Sequence, residues 1–378
     1  MNNNKGILMV SNMYPDIKHP SYGIFVKKFC DQLDLNGIKY SLSVMHKADS
    51  KVWKITGYIF FYISTFFRVL FGNYDLIYVH YPSFSGGPVY FATKIRRRNI
   101  YTNLHGSDVV PENLMHEKMQ KYTVGLLAES KKVIVPSEYF KELVSKKYRL
   151  KKETIFVYPS GGIDRKIFSR RDERQVAKFK KQYGIENEYP IFGMAGRISK
   201  DKGWDVFVEA ANSIQANANF IIVGTGNEDG MLEKKIEKEK SNIIWVKKLL
   251  SQNELALFYS ACDFFVFPTK REGESLGLVA IEAMACATPV IASNYAAPMY
   301  YVKDGHIALE TDVVTGNPNK GNATPTGVYS LAYKAKDQTL RGTKKADGTY
   351  EVSYEEVKPA DYSPQDLREE NLPVTYEQ

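Results

Sequence analysis

Cysteine is scarce in this chain: Cys30, Cys262 and Cys286 are the only three in 378 residues. They are scattered, each in a helix-like stretch, which excludes a disulfide framework or a zinc framework and reads as reduced thiols. No His, Cys and Asp cluster has metal-ligand spacing, so no metal and no cofactor are expected. No secretory leader shape opens the chain, because Met1-Asn-Asn-Asn-Lys5 runs directly into the strand-like Gly6-Ile-Leu-Met-Val-Ser11. The expected location is therefore the cytoplasm. The most apolar stretch, Val52–Phe71, is interrupted by Lys54 and Arg68. That leaves an uncharged core too short for roughly 30 Å of hydrocarbon. No nucleic-acid reading motif is present either, so no nucleic-acid partner is expected.

What the chain does have is ordinary globular composition, 44% hydrophobic and 25% charged. Its length suits two domains. The net charge of +8 is uneven. Residues 1–165 hold 24 Lys and Arg against 13 Asp and Glu, about +11, while the last thirty or so residues are acidic. A basic half attracts polyanions, anionic lipid or phosphorylated substrates. From Gly6 to Tyr158 apolar strand-like runs alternate with helical patterns, the helices near 22–35, 53–71, 88–97, 113–129 and 138–147. A second alternation has strands at Ile191–Ala195, Phe220–Gly224, Ile243–Val246, Phe264–Phe267 and Pro289–Ala292. Such βα alternation implies doubly wound parallel sheets. Pro159-Ser-Gly-Gly162 punctuates the chain between them, and a charged, mostly helical segment follows. The expected domains are 1–165, 166–305 and a tail, 306–378.

Two carboxylates stand out. Glu274 and Glu282 are eight apart in Arg271-Glu-Gly-Glu-Ser-Leu-Gly-Leu-Val-Ala-Ile-Glu-Ala-Met-Ala-Cys286. Glu274 falls in a loop near a helix N-terminus, and Glu282 about two turns on, roughly 10–12 Å along the axis. Carboxylates accept hydrogen bonds from paired hydroxyls, so this span suits a nucleotide joined to a sugar. The plain alternative is two solvated glutamates. Gly196-Arg-Ile-Ser-Lys-Asp-Lys-Gly203 follows a core strand, and Arg197 with Lys202 is a sensible pair for a diphosphate. A solvated basic turn is its alternative. His105 ends a strand in His105-Gly-Ser-Asp108, where ligands of open sheets bind; Asp108 caps the next helix in the plainer reading. Tyr22-Gly23 occupies the first strand–helix loop, and Gly224-Thr-Gly226 reads as a tight turn. The aromatic stretch 52–71 fits an interfacial helix or a buried one, and the basic neighbours Arg96-Arg-Arg98 favour peripheral membrane contact at the inner face.

The string Pro268-Thr269, Glu274, Gly277-Leu278-Val279, Glu282 and Ala283-Met284-Ala285 resembles the Glu-x7-Glu motif of the retaining GT-B glycosyltransferases of family 4, the group 1 set. The resemblance covers about residues 5–305. It implies two Rossmann-like domains facing across a cleft, the second C-terminally truncated. It also implies transfer of a sugar from a nucleotide diphosphate sugar to a glycan acceptor, lipid-linked in bacterial surface polysaccharide assembly. It assigns Arg197 and Lys202 to the diphosphate, Glu274 to sugar hydroxyls, Glu282 to the ribose and His105 to the sugar pocket. Gly23, Gly277 and Leu278 join them at the donor. Relatives carry paired glycines where this chain has Tyr22-Gly23, and another pair where it has Ala296-Ala297. The alternative reading is an inactive nucleotide-sugar-binding remnant.

Past residue 305 the pattern changes. Thr315-Gly and Thr324-Pro-Thr-Gly-Val-Tyr329 resemble the early strands of an L,D-transpeptidase catalytic domain, over about 308–345. That family's nucleophile lies in a Ser-His-Gly-Cys string, and no Cys follows Cys286 here. The tail is expected to be a short β-prone fragment, with runs at 310–314 and 327–333, and disordered from Tyr350.

Overall fold

The computed structural model describes residues 6–301, apart from residues 21, 160, 161, 186, 187, 215, 216 and 240, and the backbone of 338–344 and 350–356. The chain divides into two compact units, Met1–Gly161 and Gly162–Gln378.

The first unit holds a six-stranded parallel sheet. Its strands are β1 (Ile7–Ser11), β2 (Tyr40–Val44), β3 (Leu76–His80), β4 (Ile100–Asn103), β5 (Lys132–Val135) and β6 (Ile155–Val157). They lie in the order β2-β1-β3-β4-β5-β6. Helices α1 (Ile24–Leu35), α2 (Lys51–Phe71), α3 (Pro82–Ile95), α4 (Gly106–Val109), α5 (Leu114–Glu129) and α6 (Glu138–Tyr148) connect them. Leu8, Met9 and Val10 are inaccessible in succession, so helices cover both faces of β1. A strand buried on both faces reads as a continuous apolar run, which is why sequence located it.

Helix α3 differs from its expected span, starting at Pro82 rather than Pro88. A proline ordinarily sits at a helix start, because it lacks a backbone donor. Here Pro88 sits inside the helix, and the donor is replaced: the Tyr62 hydroxyl donates to the Phe84 carbonyl at 2.9 Å. Gly86 and Gly87 complete the arrangement. A Cβ on either would come within 3.3 Å of Leu126 or Tyr62, so α3 packs closely between α5 and α2.

Helix α2 is capped by Ser50, whose hydroxyl accepts from the Trp53 amide. By length and composition alone its 21 residues are long and apolar enough to cross a membrane, with Lys54 and Arg68 interrupting the uncharged run. One edge nonetheless belongs to the domain. Phe61, Thr65 and Val69 are buried, and the Thr65 hydroxyl bonds Ser43 at 2.8 Å. The carbonyls of its last turn accept from Arg98 and Arg96, cations suited to a helix C-terminus. The other face is open: Val52, Trp53, Ile55, Ile59, Phe60, Ile63, Phe67 and Phe71 are all exposed.

The second unit holds β7 (Ile191–Ala195), β8 (Asn219–Val223), β9 (Ile243–Val246), β10 (Phe264–Phe267) and β11 (Val290–Ala292), parallel in the order β11-β10-β7-β8-β9. Helices α7 (Glu173–Gln182), α8 (Trp204–Ser213), α9 (Asp229–Glu239), α10 (Gln252–Ala261) and α11 (Leu278–Ala285) pack around it. The strand order reverses between β7 and β10. Open parallel sheets bind ligands outside the carboxyl ends of their strands at such a reversal.

In the tail, β12 (Gln338–Lys344) pairs antiparallel with β13 (Tyr350–Glu356). The second strand takes Tyr350–Glu356 out of the stretch expected to be disordered, and the rest of that stretch, 357–378, lies outside the described residues. Tyr350, Val352 and Tyr354 alternate at the strand period, a pattern that the acidic composition outweighed in the sequence reading. The expected runs 310–314 and 327–333 lie outside the described residues.

Candidate functional site

The loop after β7 and the loop after β10 flank the strand reversal, and they are stitched together. Lys200–Lys202 form one turn of 3-10 helix, and Gly203 follows at φ +77 to open α8. A Cβ on Gly203 would lie 1.9 Å from the Pro268 carbonyl oxygen, so only glycine lets the two loops approach. The Lys270 amide donates to the Asp201 carbonyl at 2.8 Å.

This stitching brings sequence-distant charges together. The Lys202 ammonium donates to a carboxylate oxygen of Glu274, with side chains 18% and 10% accessible. Arg197, on the same loop as Lys202 and half exposed, has its guanidinium 3.7 Å from Asp201. Lys200, between them in the same string, is exposed. Arg271 approaches the same Asp201 oxygen at 3.8 Å.

Glu274 sits four residues before α11, and Glu282 lies just over one turn into that helix, a shorter helical separation than the spacing implied. The Glu282 carboxylate accepts from the Tyr259 hydroxyl at 3.1 Å and is half-buried. Gly277 is in the left-handed region at φ +77, and a Cβ there would meet the Tyr301 hydroxyl at 2.5 Å. That hydroxyl instead donates to the Leu276 carbonyl at 2.9 Å. Leu278 opens α11 and packs against the core. Next to this loop, Ala296 holds φ +56 and ψ −144, close to a region that is essentially glycine's. The backbone here keeps a glycine-like conformation although the residue is alanine.

In the first unit, His105 caps α4. Its backbone amide donates to Asp108 at 2.9 Å, and the other oxygen of Asp108 accepts from the Ser83 amide at 3.1 Å and hydroxyl at 2.6 Å. Asp108 is wholly buried, and burial pushes its carboxyl up to about 7. The His105 ring lies 4.4 Å from Phe25 and 3.3 Å, Nε2 to Nδ1, from His80. Burial holds His105 down to about 3 and His80 well below its ordinary value, so both rings are neutral at pH 7. Gly23 opens α1 at φ +72, and a Cβ there would lie 2.6 Å from the Met13 backbone. That close approach by itself requires glycine.

Sequence reading missed His80, Asp201 and Arg271. His80 could have been found by the signal that picked out His105, since it ends β3 just as His105 follows β4. Asp201 and Arg271 acquire meaning only once the loops meet. Among the described residues no group of His, Cys, Asp and Glu is placed to hold a metal ion.

Comparison with known proteins fits this arrangement. Residues 48–164 match the sequence model of Glycosyltransferase Family 4, and residues 175–320 that of Glycosyl transferases group 1. Residues 288–373 match the L,D-transpeptidase catalytic domain. An uncharacterized glycosyltransferase of Methanocaldococcus jannaschii is 31% identical over 253 residues, 65% of this chain and 62% of that protein. The alpha-monoglucosyldiacylglycerol synthase of Acholeplasma laidlawii is 31% identical over 179 residues, 46% of this chain and 44% of that protein. The chain thus spans less than two thirds of the length of these relatives. The crystal structure of Anabaena HepE with UDP and glucose superposes with a TM-score of 0.60 at 18% identity, over 80% of this chain and 84% of that one. The chain therefore has the GT-B fold and resembles, over 48–164 and 175–320, the glycosyltransferases of family 4 and group 1, with an L,D-transpeptidase-like stretch at its carboxyl end.

Proposed function

We propose that this protein is a retaining glycosyltransferase that moves a sugar from a nucleotide diphosphate sugar to a glycan or lipid-linked acceptor in surface polysaccharide assembly. The observation that carries the reading is the Lys202–Glu274 pair, with Arg197 on the same loop as Lys202, at the strand reversal of the second unit. It joins a cation suited to phosphate and a carboxylate suited to sugar hydroxyls within one hydrogen bond. In the reaction the bond from the anomeric carbon to the diphosphate oxygen breaks, and a bond to the acceptor oxygen forms. The acceptor's proton passes to the departing phosphate. Arg197, Lys202 and the N-terminus of α11 stabilise the charge gathered on that phosphate. Glu282 takes the ribose. His105 and Gly23, on the first unit, are assigned to the sugar and the donor phosphate.

UDP and glucose in the Anabaena structure support a nucleotide-sugar donor. The diacylglycerol-based name of the Acholeplasma relative supports a lipid acceptor. So does the open aromatic face of α2, with Lys51, Lys54, Arg96 and Arg97 exposed on α2 and just past α3. That combination suits peripheral contact with an anionic membrane. Calorimetry with UDP, GDP and ADP, and their sugar conjugates, tests the reading. One nucleotide should bind, and Glu282→Ala should weaken that binding about tenfold or more, the loss of one charge-assisted contact. Binding without turnover on any lipid-linked acceptor would favour the inactive remnant. No nucleotide binding at all would refute both.

A further inference from the structure

We infer that His80 is a positioning residue for His105; this rests on the assignment of His105 to the sugar pocket above. His80 takes the Nε2 proton of His105, fixes that ring, and leaves its Nδ1 as an acceptor for a hydroxyl of the transferred sugar. The topology brings the two histidines together. β3 and β4 are neighbours, His80 is paired in register with Asn103, and His105 follows two residues later past the end of β4. His80 Nδ1 lies 3.3 Å from His105 Nε2, and the ring planes are inclined by only 20°. Helix α1 packs against both rings. Phe25 and Phe29 are four apart, on one face of that helix. The Phe25 ring lies 4.4 Å from that of His105, and the Phe29 ring 5.3 Å from that of His80.

Each neutral ring carries one proton on one of its two nitrogens, and the partner of one nitrogen decides the state of the other. In the capping box of α4 the Asp108 amide is turned toward the His105 side chain, short of a full hydrogen bond. Nδ1 is the ring nitrogen next to the backbone, and an N–H facing it favours a lone pair there. His105 therefore holds its proton on Nε2 and donates it to His80 Nδ1. His80 in turn holds its own proton on Nε2. That atom is buried with no hydrogen-bond partner among the described residues. A buried donor without an acceptor costs stability and calls for a reason. The reason lies at the other end of the ring, where His80 Nδ1 receives His105. His80 is 1% accessible and cannot meet a ligand itself, whereas His105 is half-buried and can. Because the Asp108 amide falls short of a full bond, the Nδ1 lone pair of His105 is left for a hydroxyl donor.

The test is nitrogen NMR and calorimetry on the full chain carrying isotope-labelled histidine. In the parent, His105 and His80 should each show a protonated, pyrrole-type Nε2 and a bare, pyridine-type Nδ1. His80→Asn keeps a carbonyl oxygen close to the place of Nδ1 and should preserve the His105 pattern. His80→Gln carries its amide further out and should let the His105 proton spread over both nitrogens. Calorimetry with UDP and UDP-glucose then reads the sugar contact. His80→Gln should bind UDP as the parent does but UDP-glucose about fivefold more weakly, the loss of one neutral hydrogen bond, with most of the loss recovered in His80→Asn. A proton on His105 Nδ1 in the parent overturns the inference, whether or not the variants fold, and leaves the donor reading standing. So does a His80→Gln variant with the parent's His105 pattern. If the pattern changes but UDP-glucose binds both variants as it binds the parent, the ring that His80 holds does not meet the sugar and the inference fails. If the parent binds neither UDP nor UDP-glucose, the donor reading falls and the inference falls with it.

Discussion

Replacing Lys202 by methionine keeps most of the side-chain volume and removes the charge that faces Glu274. In the folded protein the Glu274 side chain is 10% accessible. The Thr269 hydroxyl, 3.5 Å away, is too distant to replace the ammonium. Breaking a buried pair by removing one partner costs about 3–5 kcal/mol, because the remaining charge stays desolvated. The residual accessibility of both groups puts this case at the low end, about 3 kcal/mol. With a urea slope of about 2 kcal/mol per molar, the unfolding midpoint should fall by about 1.5 M. Trp204, buried two residues after Lys202, reports unfolding of the second unit by its fluorescence. Adding Glu274→Gln removes the orphaned charge and should restore most of the loss, to within about 1 kcal/mol of the parent. If Lys202→Met alone shifted the midpoint by less than about 0.3 M, the pair would behave as an exposed ion pair, worth roughly 0–1 kcal/mol, and the premise of a buried pair would be wrong.

Three further outcomes follow from the geometry. Ala296→Gly should stabilise the second unit by about 1 kcal/mol, since relief of about 1–3 kcal/mol of backbone strain exceeds the added flexibility of the unfolded chain; a destabilised variant in urea would contradict the strain. Trp53→Glu with Phe60→Glu should cut sedimentation with vesicles containing anionic lipid about tenfold or more while far-UV circular dichroism stays unchanged, because both side chains are more than 70% exposed; equal binding would remove α2 from the membrane contact. Burial lowers the His105 and His80 imidazoles, so their contribution to stability is fully present above the ordinary histidine value of about 6.5 and is lost as pH falls through that value toward the folded one, about 3 for His105. Asp108, raised to about 7 by burial, acts in the opposite sense, favouring the fold at low pH and losing that contribution as pH rises toward 7. The two imidazoles outnumber it, so urea midpoints of the parent should drop between pH 6.5 and 4, and a His80→Gln, His105→Gln variant should show a flatter profile; parallel profiles would refute the burial argument.

Local sequence pattern located the two parallel sheets and the loops that carry the candidate site. Strands such as Ile191–Ala195 and Phe264–Phe267 are apolar because both faces are covered, and that signal is local. The glycines at 203 and 277 mark the turns that follow such strands, also a local signal. Helix limits were less legible: α3 runs through Pro88 only because Tyr62, 22 residues before Phe84, takes over the freed carbonyl. The open face of α2 was undecided for a related reason, since an apolar helix reads the same whether or not a neighbour covers it. Which charges meet depends on how the strands pair. Lys202 and Glu274 are 72 residues apart, and their contact depends on β7 and β10 being neighbours, a property of sheet order that no local period encodes. The same adjacency puts Arg271 and Arg197 on one oxygen of Asp201. Chain-local patterns specify which residues are buried or turn; the order in which strands pair specifies the chemistry at their ends.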